Sequence, residues 1–248
     1  MKIVTVIQAR MGSRRLPGKA MIKIDKKPAL QHVLDRLRPS KYIKDIYLAT
    51  TKNPKDDALG RWAAKNNIKC FRGSETDVLS SYYQIVNKTK SDGIARITGD
   101  CPLIDCQIVD LVLKTFIEGD FDCATNAHPA TYPDGLDVEI FSVRAINKTW
   151  REAKSDFEHE HINVYIYEHP KLFKIKSVTN KKDLSKHRWT LDTQDDLKLL
   201  KLIFGECGKM KRYCHMDDIL KILKKHPSWA KINLDYQRNQ GYKISPKK

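Results

Sequence analysis

Residues 4–7 form a short apolar run that ends at Gln8 and opens into a loop, residues 9–19, carrying Arg10, Gly12, Ser13, Arg14, Arg15, Pro17, Gly18 and Lys19. Apolar runs of this length bounded by Gly and Pro read as strands buried on both faces, as in a parallel sheet. The pattern then alternates. Leu30, Val33, Leu34 and Leu37 recur at helical spacing over 28–37, and 46–50 reads as a strand. Residues 56–66 fit a helix with Ala58, Leu59, Trp62 and Ala63 inward. A short strand at 69–71, a turn at Arg72-Gly73-Ser74 and a helix over 77–88 follow. A strand over 93–98 ends at Gly99-Asp100-Cys101-Pro102-Leu103-Ile104-Asp105. Asp105 can cap a helix beginning near Gln107, whose expected apolar stripe is Ile108, Leu111, Val112 and Phe116.

Four alternations of strand and helix predict a parallel sheet with helices on both faces, a three-layer α/β/α arrangement. Past residue 120 the rhythm changes. A strand over 121–125 and a polar loop over 126–134 lead to 135–141, which alternates as a strand with Asp137 and Glu139 on one face. Helices are expected over 143–154, 158–168, 194–204 and 216–225, with a strand-like stretch at 172–178. Residues 189–191 lead into Asp192. From about residue 235 the chain is polar and basic and is expected to be a loosely held tail.

The 248 residues, 41% of them hydrophobic, suit one large α/β domain, or one domain with a small appendage, and a real core. No apolar run approaches the roughly 18 residues that span a bilayer, so membrane insertion is not expected. Polar residues follow Ile7 too soon for a signal peptide, and the expected location is cytoplasmic. The six cysteines include no C-x-x-C pair, so free thiols are expected rather than zinc ligands or a disulfide framework. The formal net charge of +16 would suit nucleic acid or an anionic surface. Its lysines, however, are spread along a chain rich in Asn and Ile, and the charge identifies no more than anionic ligands in general.

A cationic, glycine-containing loop at the carboxyl end of a buried strand is where an open α/β sheet binds its ligand. Backbone N–H groups approach phosphate there, and Arg and Lys add charge-assisted bonds. The loop is neither G-x-x-x-x-G-K-[ST] nor G-x-G-x-x-G. Asp100 follows the fourth strand at the same sheet edge, where a carboxylate facing phosphate can hold Mg²⁺. Helix capping is its alternative role, but Asp105 already serves as cap. Asp192 ends an apolar stretch in the same way and is a candidate second ligand. His159 and His161, one residue apart on an expected helix, should face different ways and do not make a metal pair. The four tryptophans are too scattered for a stacking platform and are expected in the core.

Residues 8–19, 98–105 and 134–139, read as Gln-Ala-Arg-Met-Gly-Ser-Arg-Arg-Leu-Pro-Gly-Lys, Thr-Gly-Asp-Cys-Pro-Leu-Ile-Asp and Asp-Gly-Leu-Asp-Val-Glu, resemble the spore-coat-polysaccharide F-type cytidylyltransferases. These are relatives of the acylneuraminate and CMP-Kdo synthetases, and the likeness runs from residue 1 to about 205. The resemblance implies a mostly parallel mixed sheet in a Rossmann-like, nucleotide-diphospho-sugar transferase (GT-A-like) fold. It implies one nucleotidyltransferase domain over 1–234, with a nucleotide half to about 120, an acceptor half over 121–205 and a basic tail over 235–248. It further implies that Arg10 and Lys19 contact the β- and γ-phosphates of CTP, that Gln8, Ala9, Gly12 and Ser13 shape the nucleotide loop, and that Asp100 and Asp192 hold Mg²⁺. Gln194 stands where the Kdo branch usually has proline. Arg72, Gly73, Ser74 and Asp77 match a stretch facing the nucleotide. Asp137 and Glu139 fall where an acceptor would bind, and His159 and His161, which with Glu160 match a Glu-His segment, are further acceptor-binding candidates.

The implied reaction is transfer of CMP to a small anionic sugar acid, with a sugar or polyol phosphate as alternative acceptor, in surface-glycan biosynthesis. UTP or GTP in place of CTP is a second reading. A nucleotide-sugar glycosyltransferase would ordinarily show Asp-x-Asp at the end of the fourth strand, which is absent here. A nucleic-acid binder would explain the charge but not the Gly99-Asp100-Cys101-Pro102 turn, and no nucleic-acid partner is expected. Family relatives often form homodimers, so a homodimer is expected, with residues 142–168 as the expected contact.

Overall fold

The structure, a computed structural model, describes residues 1–210 and 212–238. β1 (Ile3–Gln8) sits inside a seven-stranded sheet. A two-stranded ribbon of β2 (Lys23–Ile24) and β3 (Lys27–Pro28) follows the loop and leads into α1 (Ala29–Leu37). β4 (Asp45–Thr51), α2 (Asp57–Lys65), β5 (Lys69–Gly73), α3 (Val78–Thr89), β6 (Gly93–Thr98) and α4 (Cys106–Glu118) continue the alternation. Then come β7 (Cys123–Thr125), β8 (Glu139–Ser142), α5 (Val143–Glu152), α6 (Asp156–Glu160), α7 (Val164–Glu168), β9 (Ile175–Ser177), α8 (Gln194–Cys207) and α9 (Met216–Lys225). The strand order is β5-β4-β1-β6-β8-β7-β9, and β8 runs antiparallel to both its neighbours. The expected mostly parallel mixed sheet is the one observed.

Alternation along β1 explains the layers. Ile3 and Ile7 pack with Leu30, Val33 and Leu34 of α1, Leu59 and Trp62 of α2 and Val112 and Phe116 of α4. Val4 and Val6 point the other way, to Leu79, Tyr82 and Val86 of α3 and Ile146 of α5. A strand that buries both faces reads as an unbroken apolar run. A third cluster joins α8 and α9 to Leu16, Ile24, Leu103, Trp189 and Leu191. Asp105 ties this cluster to the sheet: it accepts from Gln107 N (2.9 Å) as the α4 cap, from Met216 N (2.7 Å), and faces His215 Nδ1 (3.0 Å).

Several expectations are corrected. Leu111 is exposed, and Val109 takes its place on the inner face of α4. Residues 135–138 are loop and only Glu139 onward is strand, because Gly135 turns the chain at φ 106° against the backbone of Trp189. The expected 158–168 helix breaks at His161 (φ −118°, ψ 85°) into α6 and α7. The break lets the Asn163 side chain reach Glu139. The strand at 172–178 shortens to β9. Cys207 and Cys214 form a disulfide rather than free thiols. Residues 235–238 are not loose either: Tyr236 OH donates to Asp195 Oδ2 (3.0 Å) and Arg238 to Tyr132 O (3.0 Å). The expected tail beyond 238 lies outside the described residues. No described helix is long and apolar enough to cross a membrane.

Candidate active site

The chain leaves β1 for β4 and β5 on one side and returns as β6 on the other. This reversal opens a crevice at the carboxyl ends of β1 and β6, the place where open α/β sheets bind ligands. Gly99 closes its floor: its N–H donates to Gln8 O (2.8 Å), and a Cβ there would come within 2.8 Å of Ala9 Cβ. A cleft of about 560 Å³ runs from the loop after β1, past this floor, to the elements after β7.

The loop folds on itself. Gly18 N donates to Met11 O (3.0 Å), and Gly18 takes φ 70°, a conformation that favours glycine. Buried Asp56 tethers the loop to β4. One carboxylate oxygen accepts from Met11 N (2.7 Å) and the other from Thr50 Oγ1 and Thr51 N (3.0 and 3.1 Å). Asp56 is a positioning residue that sequence reading passed over as an ordinary helix start. Ser13 lines the cleft, and its hydroxyl accepts weakly from Leu16 N (3.4 Å). Gly12 lies against Glu75. Arg10, half-exposed, lies 3.7 Å from carboxylates of both Glu75 and Glu160.

Asp100 and Asp192 do meet. Leu191 N and Thr190 Oγ1 donate to Asp100 O (2.8 and 3.2 Å), which brings the segment before α8 alongside the β6 turn. Lys19 Nζ then donates to Asp100 Oδ2 and Asp192 Oδ1 together. Arg15 also binds Asp192 (2.7 Å). Burial opposes the charge on Asp100, but the Lys19 ammonium outweighs it and holds the carboxyl down at about 2. The same pair of carboxylates, acting against burial, raises the Lys19 ammonium. Two carboxylates converging on one cation, beside a cationic loop, form a hard-oxygen donor set of the kind that fits Mg²⁺. Thr193, not Asp192, caps α8, its side chain accepting from Asp196 N. Asp192 is therefore left to the cleft.

The far half of the cleft is built around Glu139. Its side chain accepts from Arg96, from Asn163 Nδ2 (2.8 Å) and from Tyr167 OH (2.7 Å). Arg96 Nε also donates to Gln8 Oε1 (3.1 Å), so Gln8 links the two halves. Buried Arg188 is fixed by Asp134 (2.8 Å), Asp192 (3.3 Å) and Asp196 (2.9 Å). Asp137 pairs with Arg238 across 101 residues of sequence. His161 lines the cleft, and burial lowers its imidazole against the pull of Glu160.

The structure thus gathers Gln8, Ala9, Arg10, Ser13, Lys19, Ser74, Asp100, Asp137, Glu139, His161 and Asp192 into one cleft. Five other candidates do not line it, Gly12 among them. Arg72 donates to Thr51 O and Asn53 O and pairs with Asp57 (2.9, 3.0 and 2.7 Å). Gly73 packs where a Cβ would strike Ser81 Oγ. Asp77 caps α3 and pairs with His159 (2.9 and 3.0 Å). As expected, His159 and His161 face different ways. Sequence reading did not single out Arg96, Asn163, Tyr167, Arg188 or Arg238, since none belongs to a motif and each reaches the cleft through a partner distant in sequence.

Residues 4–224 match the model of a family described as Cytidylyltransferase. The solved structure of a cytidylyltransferase from Leptospira borgpetersenii superposes with a TM-score of 0.88 at 34% identity, covering 97% of this chain and 100% of that one. The spore coat polysaccharide biosynthesis protein SpsF of Bacillus subtilis is 29% identical over 92% of this chain and 96% of its own. The 8-amino-3,8-dideoxy-manno-octulosonate cytidylyltransferase of Shewanella pealeana is 31% identical over 66% of this chain and 64% of its own.

Proposed function

This chain belongs to the cytidylyltransferase family, and on that premise we propose that it transfers CMP from CTP to a sugar acid, with release of pyrophosphate, in glycan biosynthesis. The observation that carries the reading is the convergence of Asp100 and Asp192 on Lys19 at the mouth of the loop after β1. The names of the SpsF and octulosonate relatives support a glycan acceptor bearing an acid group.

In the reaction an acceptor oxygen attacks the α-phosphorus of CTP in line, a new P–O bond forms, and the bond to pyrophosphate breaks. Positioning and charge neutralisation dominate such transfers. Arg10 and Lys19 supply cationic donors where negative charge collects on the departing pyrophosphate. Asp56 keeps the loop in register by holding Met11 N. Asp100 and Asp192 would hold a divalent cation, and Mg²⁺ bound there supplies Lewis-acid neutralisation of the phosphates. With the two carboxylates engaged in that way, Lys19 would be left to bond phosphate oxygens. Gln8, through Arg96, positions the acceptor side of the floor.

The test is pyrophosphate release across the four nucleoside triphosphates, each with Mg²⁺ and a panel of sugar acids and sugar phosphates. CTP with a sugar acid is the expected productive pair. Asp100→Asn should abolish transfer while the circular dichroism spectrum stays that of the wild type. Activity with UTP or GTP on a sugar phosphate alone would replace this reading with the broader nucleotidyltransferase one.

A further inference from the structure

We propose that Arg238 grips the acid group of the acceptor, and that the Asp137 carboxylate keeps its place until the acceptor arrives. The inference deepens the sugar-acid reading above and rests on it. It starts from the segment after α9, which returns across the molecule as an anchored strap. Asn233, buried, donates from Nδ2 to Arg188 O (3.0 Å) and Asp196 Oδ1 (2.8 Å). Tyr236 donates to Asp195, and its ring lies 5.9 Å from the Arg188 guanidinium. These anchors deliver Arg238 into the acceptor half of the cleft, where Nη1 donates to Tyr132 O (3.0 Å) and Nη2 to Asp137 Oδ1.

An anionic acceptor buried in this half needs a cation, because an unpaired buried charge is strongly unfavourable. The described arginines there are not equivalent. Arg188 is held by three carboxylates. Arg96 is pinned between Gln8 and Glu139, and Glu139 is itself fixed by Asn163 and Tyr167. The Arg238 pair differs: both members line the cleft, and Arg238 is the one hydrogen-bond donor to Asp137 among the described residues. A carboxylate resting on a guanidinium at this position has the chemistry of a sugar-acid carboxylate on the same group. Exchange of one for the other conserves the charge-assisted bonds of Arg238. The displaced Asp137, left beside Asp134 and Glu139, is relieved by taking up a proton. Its carboxyl is already pushed up to about 7 by burial, against the pull of Arg238 and Arg96.

The experiment measures acceptor KM, and separately CTP affinity by calorimetry without acceptor, for the wild type, Arg238→Ala, Arg238→Lys and Asp137→Asn. The acceptors are 3-deoxy-manno-octulosonate and N-acetylneuraminate, with Mg²⁺ and CTP. Arg238→Ala should raise acceptor KM on the order of tenfold or more, with the Lys variant in between and CTP affinity within about twofold of the wild type. Asp137→Asn should lower acceptor KM by removing the competing carboxylate. An unchanged acceptor KM in Arg238→Ala, or an equal loss of CTP affinity, would overturn the assignment. A rise in acceptor KM for Asp137→Asn would overturn the placeholder. Absence of turnover with any sugar acid would sink the parent reading instead. Titration of 3-deoxy-manno-octulosonate into the CTP-bound wild type and Arg238→Ala then decides for Arg238. Binding lost in the variant supports it; equal binding, or none to the wild type, overturns it.

Discussion

Burial raises the Asp137 carboxyl to about 7, against the pull of the Arg238 guanidinium and with Asp134 and Glu139 adding to the rise. The unfolded chain would titrate this group near 3.8, so between about pH 4 and 7 the folded state holds a proton that the unfolded state has released. Stability from this group is present below that window and is lost as pH rises through it. Asp137→Asn cannot ionise, so its unfolding midpoint relative to the wild type should climb from pH 4 to pH 8. Thermal melts at the two ends check it, and a constant difference would remove the claim. Asp137 was visible in the sequence as a candidate because it sits in Asp-Gly-Leu-Asp-Val-Glu; its partner was not. Arg238 lies in a polar, basic stretch with no periodicity, and no local spacing reports a partner 101 residues away. Lys19, Asp100 and Asp192 were legible for the opposite reason. Each ends or follows an apolar run, although the meeting of Asp192 with Asp100 rests on Leu191 N and Thr190 Oγ1 bonding Asp100 O, which spacing does not report.

At the scale of elements, the strands that bury both faces were readable, whereas the short β7, β8 and β9 were placed with the wrong bounds and the two-residue β2 and β3 were missed. β1 and β6 announce themselves as apolar runs, whereas 135–138 alternates because it separates cleft from core while remaining loop. α6 and α7 merged in the sequence because the break at His161 serves a tertiary bond, Asn163 to Glu139, which helix periodicity does not record. The link between α8 and α9 was misread too. Cys207 and Cys214 are seven residues apart without a C-x-x-C signature, yet the end of α8 and the approach to α9 bring them together. The chain beyond them carries the packing of Ile219, Ile222 and Leu223 against α8. Closing so short a loop removes about 2.5 kcal/mol of unfolded-chain entropy at 25 °C. Cys207→Ser should therefore lower unfolding free energy by about 2 kcal/mol. In the unreduced, denatured wild type a thiol reagent should find four cysteines, Cys70, Cys101, Cys106 and Cys123, rather than six. Six would place both partners in the reduced state.

Over the whole molecule, the +16 charge does not concentrate in the cleft. Seven Lys or Arg and eight Asp or Glu side chains line its described part. Charges in the cleft pair with one another: Lys19 with Asp100 and Asp192, Arg10 with Glu75 and Glu160, Arg238 with Asp137. The Lys19 pairs tie the β1 loop to the β6 turn on one side and to the segment before α8 on the other. A nucleotide and a divalent cation bound between them would replace internal pairs with bridging ones, so binding should stabilise the protein as a unit. At a ligand concentration about 100 times Kd the gain is about 2.7 kcal/mol. For a chain of this size that corresponds to a rise of roughly 5 to 10 °C in melting temperature. The shift should be largest for CTP with Mg²⁺ among the four nucleoside triphosphates, and smaller with a chelator present. In Asp100→Asn, Mg²⁺ should add nothing to whatever CTP does alone, since one of the two converging carboxylates has lost its charge. Equal shifts with and without the chelator in the wild type would take the cation away from Asp100 and Asp192. Equal shifts for all four nucleotides would leave the triphosphate half of the cleft standing and take away its selectivity for cytosine.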